Sequence, residues 1–209
     1  MVMQAKLAGQ EDALRRRAFE NAVRAIDYRR QLPERVFVGK WEGFFFCESD
    51  RIFHSEFIDV AGAFLHYEQA HVVGFINLDA VSEVGLVERA AIFADEQTTG
   101  RQYMESLQGS GPADGWLYQM GRYIVVSDVG DWCIYCEKGN EVAVVGVRSF
   151  DYVMKFESAL GRLMARPIED LVEGGRSPLY PFDQLVPEWR KGLIENYGRS
   201  TEEAESVER

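Results

Sequence analysis

Cys133-Ile134-Tyr135-Cys136 is the one stretch whose residue types and spacing resemble a thiol or metal motif. A redox pair of this spacing needs its first cysteine at a helix N-terminus, where amide donors lower the thiol pKa. Here both cysteines fall in a run, 131–137, that reads as a strand, and a separation of three along a strand sends side chains to opposite faces. Zinc would need about four ligands, and the chain's remaining cysteine, Cys47, is single. Cys133 and Cys136 are therefore expected to be reduced and unligated, with a thiol reaction at Cys133 kept as part of an alternative enzyme reading.

The chain has three histidines. If 63–68 is a strand, His66 and Glu68 share a face and His71 follows. That gives a two-histidine, one-carboxylate set suited to a metal-assisted hydrolase. It lacks the fixed spacing such a triad normally has, and no metal or cofactor is expected. The sequence holds no G-x-S-x-G elbow, and Ser127-Asp128 has no histidine near it. Gly109-Ser110-Gly111-Pro112 lacks the Gly-Lys of a phosphate loop.

Asp128-Val129-Gly130-Asp131-Trp132 offers something else: two carboxylates flanking a glycine, with a large aromatic beside them. The composition suits an ordinary turn, and it equally suits a protein-binding hot spot. Charge favours the second use. The net charge is −11; residues 41–147 carry seventeen acidic and five basic side chains, whereas 11–40 carry eight basic and five acidic. Such a middle argues against binding a phosphate backbone and allows capture of a basic protein. The expected partner surface draws on Asp128, Asp131 and Trp132, with Asp59, Glu68, Asp79 and Glu83. Trp132 alternates with Ile134 and Cys136, which leaves open whether it faces a partner or the core.

The elements that must position these residues centre on 116–163. Runs at 122–127, 131–137 and 141–147, separated by Asp-Val-Gly and Lys-Gly-Asn, predict an antiparallel meander. The third run is apolar on both faces and predicts an interior strand. From Ser149 the period changes: Val153, Phe156, Leu160 and Leu163 predict a helix over 150–165. A helix is also predicted over 11–31, with Glu11 and Asp12 in its first turn, Arg29 and Arg30 in its last, and Pro33 ending it. Phe44 to Cys47 predicts a strand joining the sheet.

Residues 55–78 read either as a helix over 56–70 followed by a strand, or as strands at 63–68 and 72–78; the strand reading is preferred. Residues 80–94 are ambiguous, and Asp95 is a candidate cap for a helix through Met104 and Leu107. Residues 108–115 have loop composition. Trp189, Leu193 and Tyr197 stand at helical spacing near the end of the chain.

Three pieces of this pattern resemble the SMI1/KNR4-like superfamily: Leu32-Pro33 after the first helix, Gly130-Asp131 ahead of Trp132 to Tyr135, and Ser149-Phe150 opening a helix. The tyrosine and asparagine-glycine usual after the leucine-proline pair are replaced by Arg35-Val36-Phe37 and residues 39–43, and 48–115 match nothing in the pattern. Many bacterial members neutralise toxins, so the resemblance implies an immunity-like binding role and carries over no catalytic residue.

The expectation is thus an α/β (α+β) fold, a mostly antiparallel sheet with helices packed on it, in one domain over 1–198, with a flexible 1–10 and a flexible acidic tail over 199–209. The expected function is non-enzymatic binding of a basic protein such as a toxin domain, without nucleic acid or membrane. Too few cysteines for a disulfide scaffold and no signal-like apolar core point to a reducing cytosol.

Overall fold

Six strands, all antiparallel, form the central sheet of the computed structural model, which describes residues 2–82, 85–86, 91–111, 115–116, 120–172 and 178–198. In chain order these are β1 (Gly43–Glu48), β2 (Val72–Asn77), β5 (Ala91–Asp95), β6 (Arg122–Ser127), β7 (Trp132–Glu137) and β8 (Val142–Val147). A two-stranded hairpin, β3 (Val81–Ser82) and β4 (Gly85–Leu86), stands apart. The spatial order is β1-β8-β7-β6-β2-β5. The predicted meander β6-β7-β8 is its centre, in the register Tyr123 to Cys136 and Cys136 to Ala143.

Both faces of the sheet are covered, which explains why β8 is apolar throughout. On one face Val125, Trp132, Ile134, Cys136 and Val145 pack under α2 (Phe57–Glu68), α3 (Gly100–Gln108) and α4 (Phe150–Leu163). On the other, Ile124, Val126, Cys133, Tyr135 and Val144 meet α1 (Val2–Ala25), the segment 26–41, α5 (Ile168–Val172) and α6 (Pro187–Tyr197). The outer side of β1 is pinned by Arg166, whose backbone exchanges two hydrogen bonds with Phe46, 2.6 and 3.0 Å long. Gly146 exists because Phe37 lies on it: a Cβ there would stand 2.4 Å from the ring.

Three expectations are corrected. The helix predicted over 11–31 begins at Val2, within the segment expected to be flexible, and ends at Ala25. It stops there because the chain closes on itself: Asp27 N–H donates to Val36 O and Val38 N–H to Ala25 O, both at 2.8 Å. Glu11 and Asp12 are therefore mid-helix, and Arg29, Arg30 and Pro33 lie beyond the end. Residues 63–68 are helical rather than extended; Phe57, Val60, Ala61, Phe64, Leu65 and Glu68 fall on the buried side of α2 at helical spacing. Asp95 ends β5 and does not cap α3. Thr99 does, accepting from Gln102 N–H while the Gln102 side chain returns to Thr99 N–H. The strand expected around Phe44–Cys47 does join the sheet, at its edge, with its aromatics absorbed by helix layers on both faces. Residues 199–209, expected to be an acidic tail, lie outside the described residues, as do 173–177.

Candidate site at the end of the sheet

The turn from β6 to β7 is where four parts of the chain meet. Ser127 Oγ accepts from Gly130 N–H at 2.9 Å and Val129 N–H at 3.2 Å, closing the turn internally. Gly130 has φ +89°, and a Cβ on it would stand 2.9 Å from the Asn21 amide, so glycine is required on two grounds. Asn21 on α1 reaches Ser127 O at 3.1 Å. Asp128 Oδ1 accepts from His71 and Val72 N–H at 2.8 and 2.9 Å, which fixes the start of β2, and Oδ2 accepts from Arg17 at 2.7 Å. Its side chain is 1% exposed, against 57% for Arg17. Asp128 is thus a clamp between α1, β2 and the turn, with its carboxylate turned inward.

Glu68, on the last turn of α2, holds the other side. Its carboxyl accepts from Asp131 N–H at 2.5 Å and from the Trp132 indole N–H at 2.9 Å. The Trp132 ring is fully buried and stacked on Phe64, centroids 4.4 Å apart. Burial pushes the Glu68 carboxyl up to about 7; the neighbouring Asp131 charge adds to this, while hydrogen bonds from Ser127, Asp131 N–H and Trp132 oppose it.

Asp131 is half-buried, and its carboxylate is the main reason the Tyr152 phenol of α4 is raised to about 12. Arg148 completes the frame. Its backbone N–H donates to Asp131 O, its Nε to Gly130 O, and its guanidinium lies 4.1 Å over the Trp41 ring. Phe150 N–H donates to Glu42. Exposed apolar side chains stand on the elements that converge here: Tyr67 on α2, Val129 in the turn, and Phe150 and Met154 one turn apart on α4.

Of the residues expected to form a partner surface, Asp128, Asp131, Trp132 and Glu68 are brought together, but only Asp131 reaches solvent. Asp128 and Glu68 are corrected from surface to interior, the first by the two backbone amides it must satisfy, the second by the Asp131 amide and the Trp132 indole, and Trp132, left open by the sequence, faces the core with Ile134 and Cys136. Asp59 is exposed in a groove with Arg51, His54 and Arg162 at the start of α2. Asp79 is at the far end of β6, where it binds the N–H groups of Gly121 and Arg122 and the Arg122 guanidinium, each at 2.8 Å. Burial raises the Asp79 carboxyl, but those bonds together hold it below the usual range. Glu83 lies outside the described residues.

His66 and His71 are exposed while Glu68 points inward, so the three do not converge. Among the described residues no group of three His, Cys, Asp or Glu is placed to hold a metal ion. Cys133 and Cys136 are free and buried on opposite faces, and Cys47, on β1, is free and buried. Burial pushes all three thiols up, Cys47 to about 12. A groove of about 820 Å³ between α1 and β5 is lined by residues that include Glu11, Arg17, His71, Asp95 and Glu96, and none of its lining residues is a cysteine.

Arg17, Asn21, Ser127, Arg148, Phe150 and Tyr152 were not singled out from sequence as parts of this site. Arg17 belongs to the triplet Arg15-Arg16-Arg17, which carries the composition of a solvated helix face, and its partner is 111 residues away. Ser149, which caps α4 by accepting from Asp151 N–H, was the one local signal for the α4 residues.

No family model, curated protein or solved structure matches this chain. The fold and site define its class by geometry: an antiparallel sheet between two helical layers, with a carboxylate-bearing, partly apolar rim at one end. No helix among the described residues is long and apolar enough to cross a membrane.

Proposed function

We propose that the protein is a non-enzymatic binding protein that captures another protein through the rim around Asp131, with neutralisation of a cognate basic toxin domain as its role. The observation that carries this reading is the rim itself: one solvent-reaching carboxylate, Asp131, on a turn whose backbone is fixed by Glu68 and Arg148, with exposed Tyr67, Val129, Phe150 and Met154 on the turn and the helices that meet it. Apolar anchors next to a fixed charge are the composition of an interface centre. The reactive groups support the same reading. The thiols are buried and raised, and the carboxyl with the largest shift, Glu68, is enclosed by its own fold and opens into none of the main grooves. The toxin role rests on the sequence resemblance and on the acidic middle of the chain. The metal-assisted or thiol alternative would use His66, Glu68, His71 or Cys133, whose placement gives it no comparable support.

The test is binding of the full chain to the product of the gene adjoining its own, at two salt concentrations. Asp131→Asn and Phe150→Ala are expected to weaken binding about tenfold each, and Asp79→Asn to leave it unchanged. Asp131→Asn should also lower the salt sensitivity of association. Binding that ignores both rim variants would overturn the assignment.

A further inference from the structure

The two edges of the central sheet are finished differently. On the outer side of β1 the backbone of Arg166 takes up Phe46, whereas β5 itself ends the other side. The phase of the ladder fixes which peptide groups β5 leaves over. Asp128 N–H donates to Val72 O and Leu78 N–H to Arg122 O, so the even-numbered residues of β2 turn their peptide groups to β6. Val73 and Phe75 turn theirs to β5, where they stand opposite Ala94 and Ile92. Ala91, Phe93 and Asp95 therefore direct N–H and C=O away from the sheet. Asp95 is satisfied locally, its N–H donating to Thr98 Oγ1 at 3.0 Å and its O accepting from Thr98 N–H at 3.1 Å. Among the described residues no partner stands against the outward groups of Ala91 and Phe93. Residues 91–94 contain no charge and no proline, the features that ordinarily blunt such an edge.

We propose that β5 is a self-association edge, pairing antiparallel with β5 of a second copy of this chain about a two-fold axis at Ile92. That axis sets Ala91 against Phe93 of the copy, and Phe93 against its Ala91, so that each pair exchanges both of its hydrogen bonds. Every outward group left over is used, and the Thr98 contacts of Asp95 stay intact. An axis at Phe93 would instead set Ala91 against Asp95, whose N–H is already taken. Ile92, half-buried in one copy, then faces itself in a close pair, with Cα atoms about 4.5 Å apart. Charge complementarity selects a second copy as the occupant. Here α1 crosses β5: Arg15 lies 5.9 Å over the Phe93 ring, and Glu11, Leu14 and Arg17 line the groove facing Asp95 and Glu96. The stretch at the crossing is Glu11-Asp12-Ala13-Leu14-Arg15-Arg16, in the order acid, acid, apolar, apolar, base, base. The two-fold sets α1 antiparallel to its copy on the same face of the sheet, and this order laid against its own reverse puts acid against base. A net charge of −11 repels a second copy in general, but this edge is uncharged and its flanking helix is self-complementary. The strands β2 and β6 separate the edge from β7, so a dimer leaves the rim to its own partner.

The test is the mass of the full chain in solution, by light scattering and by sedimentation, from about 1 µM to about 200 µM. The mass should rise to twice that of one chain. Ile92→Lys puts like charges face to face across the axis and should give a monomer throughout. Ala91→Pro removes an outward N–H at the first position of the strand, where proline is tolerated, and should do the same. On the helix, Arg16→Glu should raise the dissociation constant about tenfold, and adding Glu11→Arg to that variant should restore it. A monomer at every concentration would overturn the proposal and leave the edge to a strand of another chain. A dimer indifferent to these changes would overturn it as well. Should both strand variants fail to fold, the unaltered chain decides by ¹⁵N NMR. The N–H signals of Ala91 and Phe93 should move on dilution, and signals that stay in place would overturn the pairing.

Discussion

Arg17 and Asp128, 111 residues apart in the chain, meet at 2.7 Å with the guanidinium in solvent and the carboxylate in the interior. The asymmetry separates the two roles. Asp128→Ala would strip the His71 and Val72 amides of their acceptor and should cost about 2–4 kcal/mol, read from urea denaturation. Arg17→Ala removes an exposed partner and should cost only about 1 kcal/mol. Equal losses would mean that the ion pair, rather than the amide clamp, is what Asp128 provides.

Trp132→Ala should destabilise the fold by about 3–5 kcal/mol, since it opens a cavity against Phe64 and releases the Glu68 carboxyl. Trp132→Phe keeps most of the stack and loses the indole donor, so it should cost less. Denaturation midpoints of the two variants check the order.

Stability should fall as pH rises from about 4.5 towards 7. Glu68 is an acid raised from an ordinary 4.5 to about 7, so the native state keeps its proton where the unfolded chain has lost it. Its contribution is complete below the unfolded value and is lost as pH rises through the folded one. At about 1.4 kcal/mol per pKa unit the span is at most about 3.5 kcal/mol. Thermal melts across this window should show the decline, and Glu68→Gln should flatten it.

All three thiols should resist an aromatic disulfide reagent in the native protein and react together in denaturant. Cys47, Cys133 and Cys136 are free, buried and raised by burial, so thiolate is scarce and the reagent has no path to it. A thiol that reacts at native pH without unfolding would contradict this placement.

The central meander and α4 were legible because their signals are local. Trp132, Ile134 and Cys136 alternate with Cys133 and Tyr135, Gly130 and Gly139 mark the turns, and Ser149 precedes a helical period. Residues 56–68 were not, although the strand after them was. Phe57, Val60 and Phe64 fit a helix while the apolar density of 60–65 also fits a strand, and Gly62 weakened the helix in a position where it is half-exposed and harmless. The inward turn of Asp128 was illegible for a different reason. A carboxylate in a turn reads as surface, and the amides that draw it inside belong to His71 and Val72, 57 and 56 residues upstream. Glu68 was hidden the same way, because its burial depends on the phase of α2 and on where the turn lands.

A sheet with helices on both faces has another consequence. Every residue of β7 and β8 is buried, and each strand is hydrogen-bonded on both edges. Solvent therefore reaches their peptide hydrogens only when both layers open together. Their deuterium uptake should be the slowest in the chain and should track the free energy of complete unfolding, while α3 and α6 exchange sooner through local opening. The amides of Ile134 and Val144, one for each helical layer, thus make the molecule its own gauge of global stability.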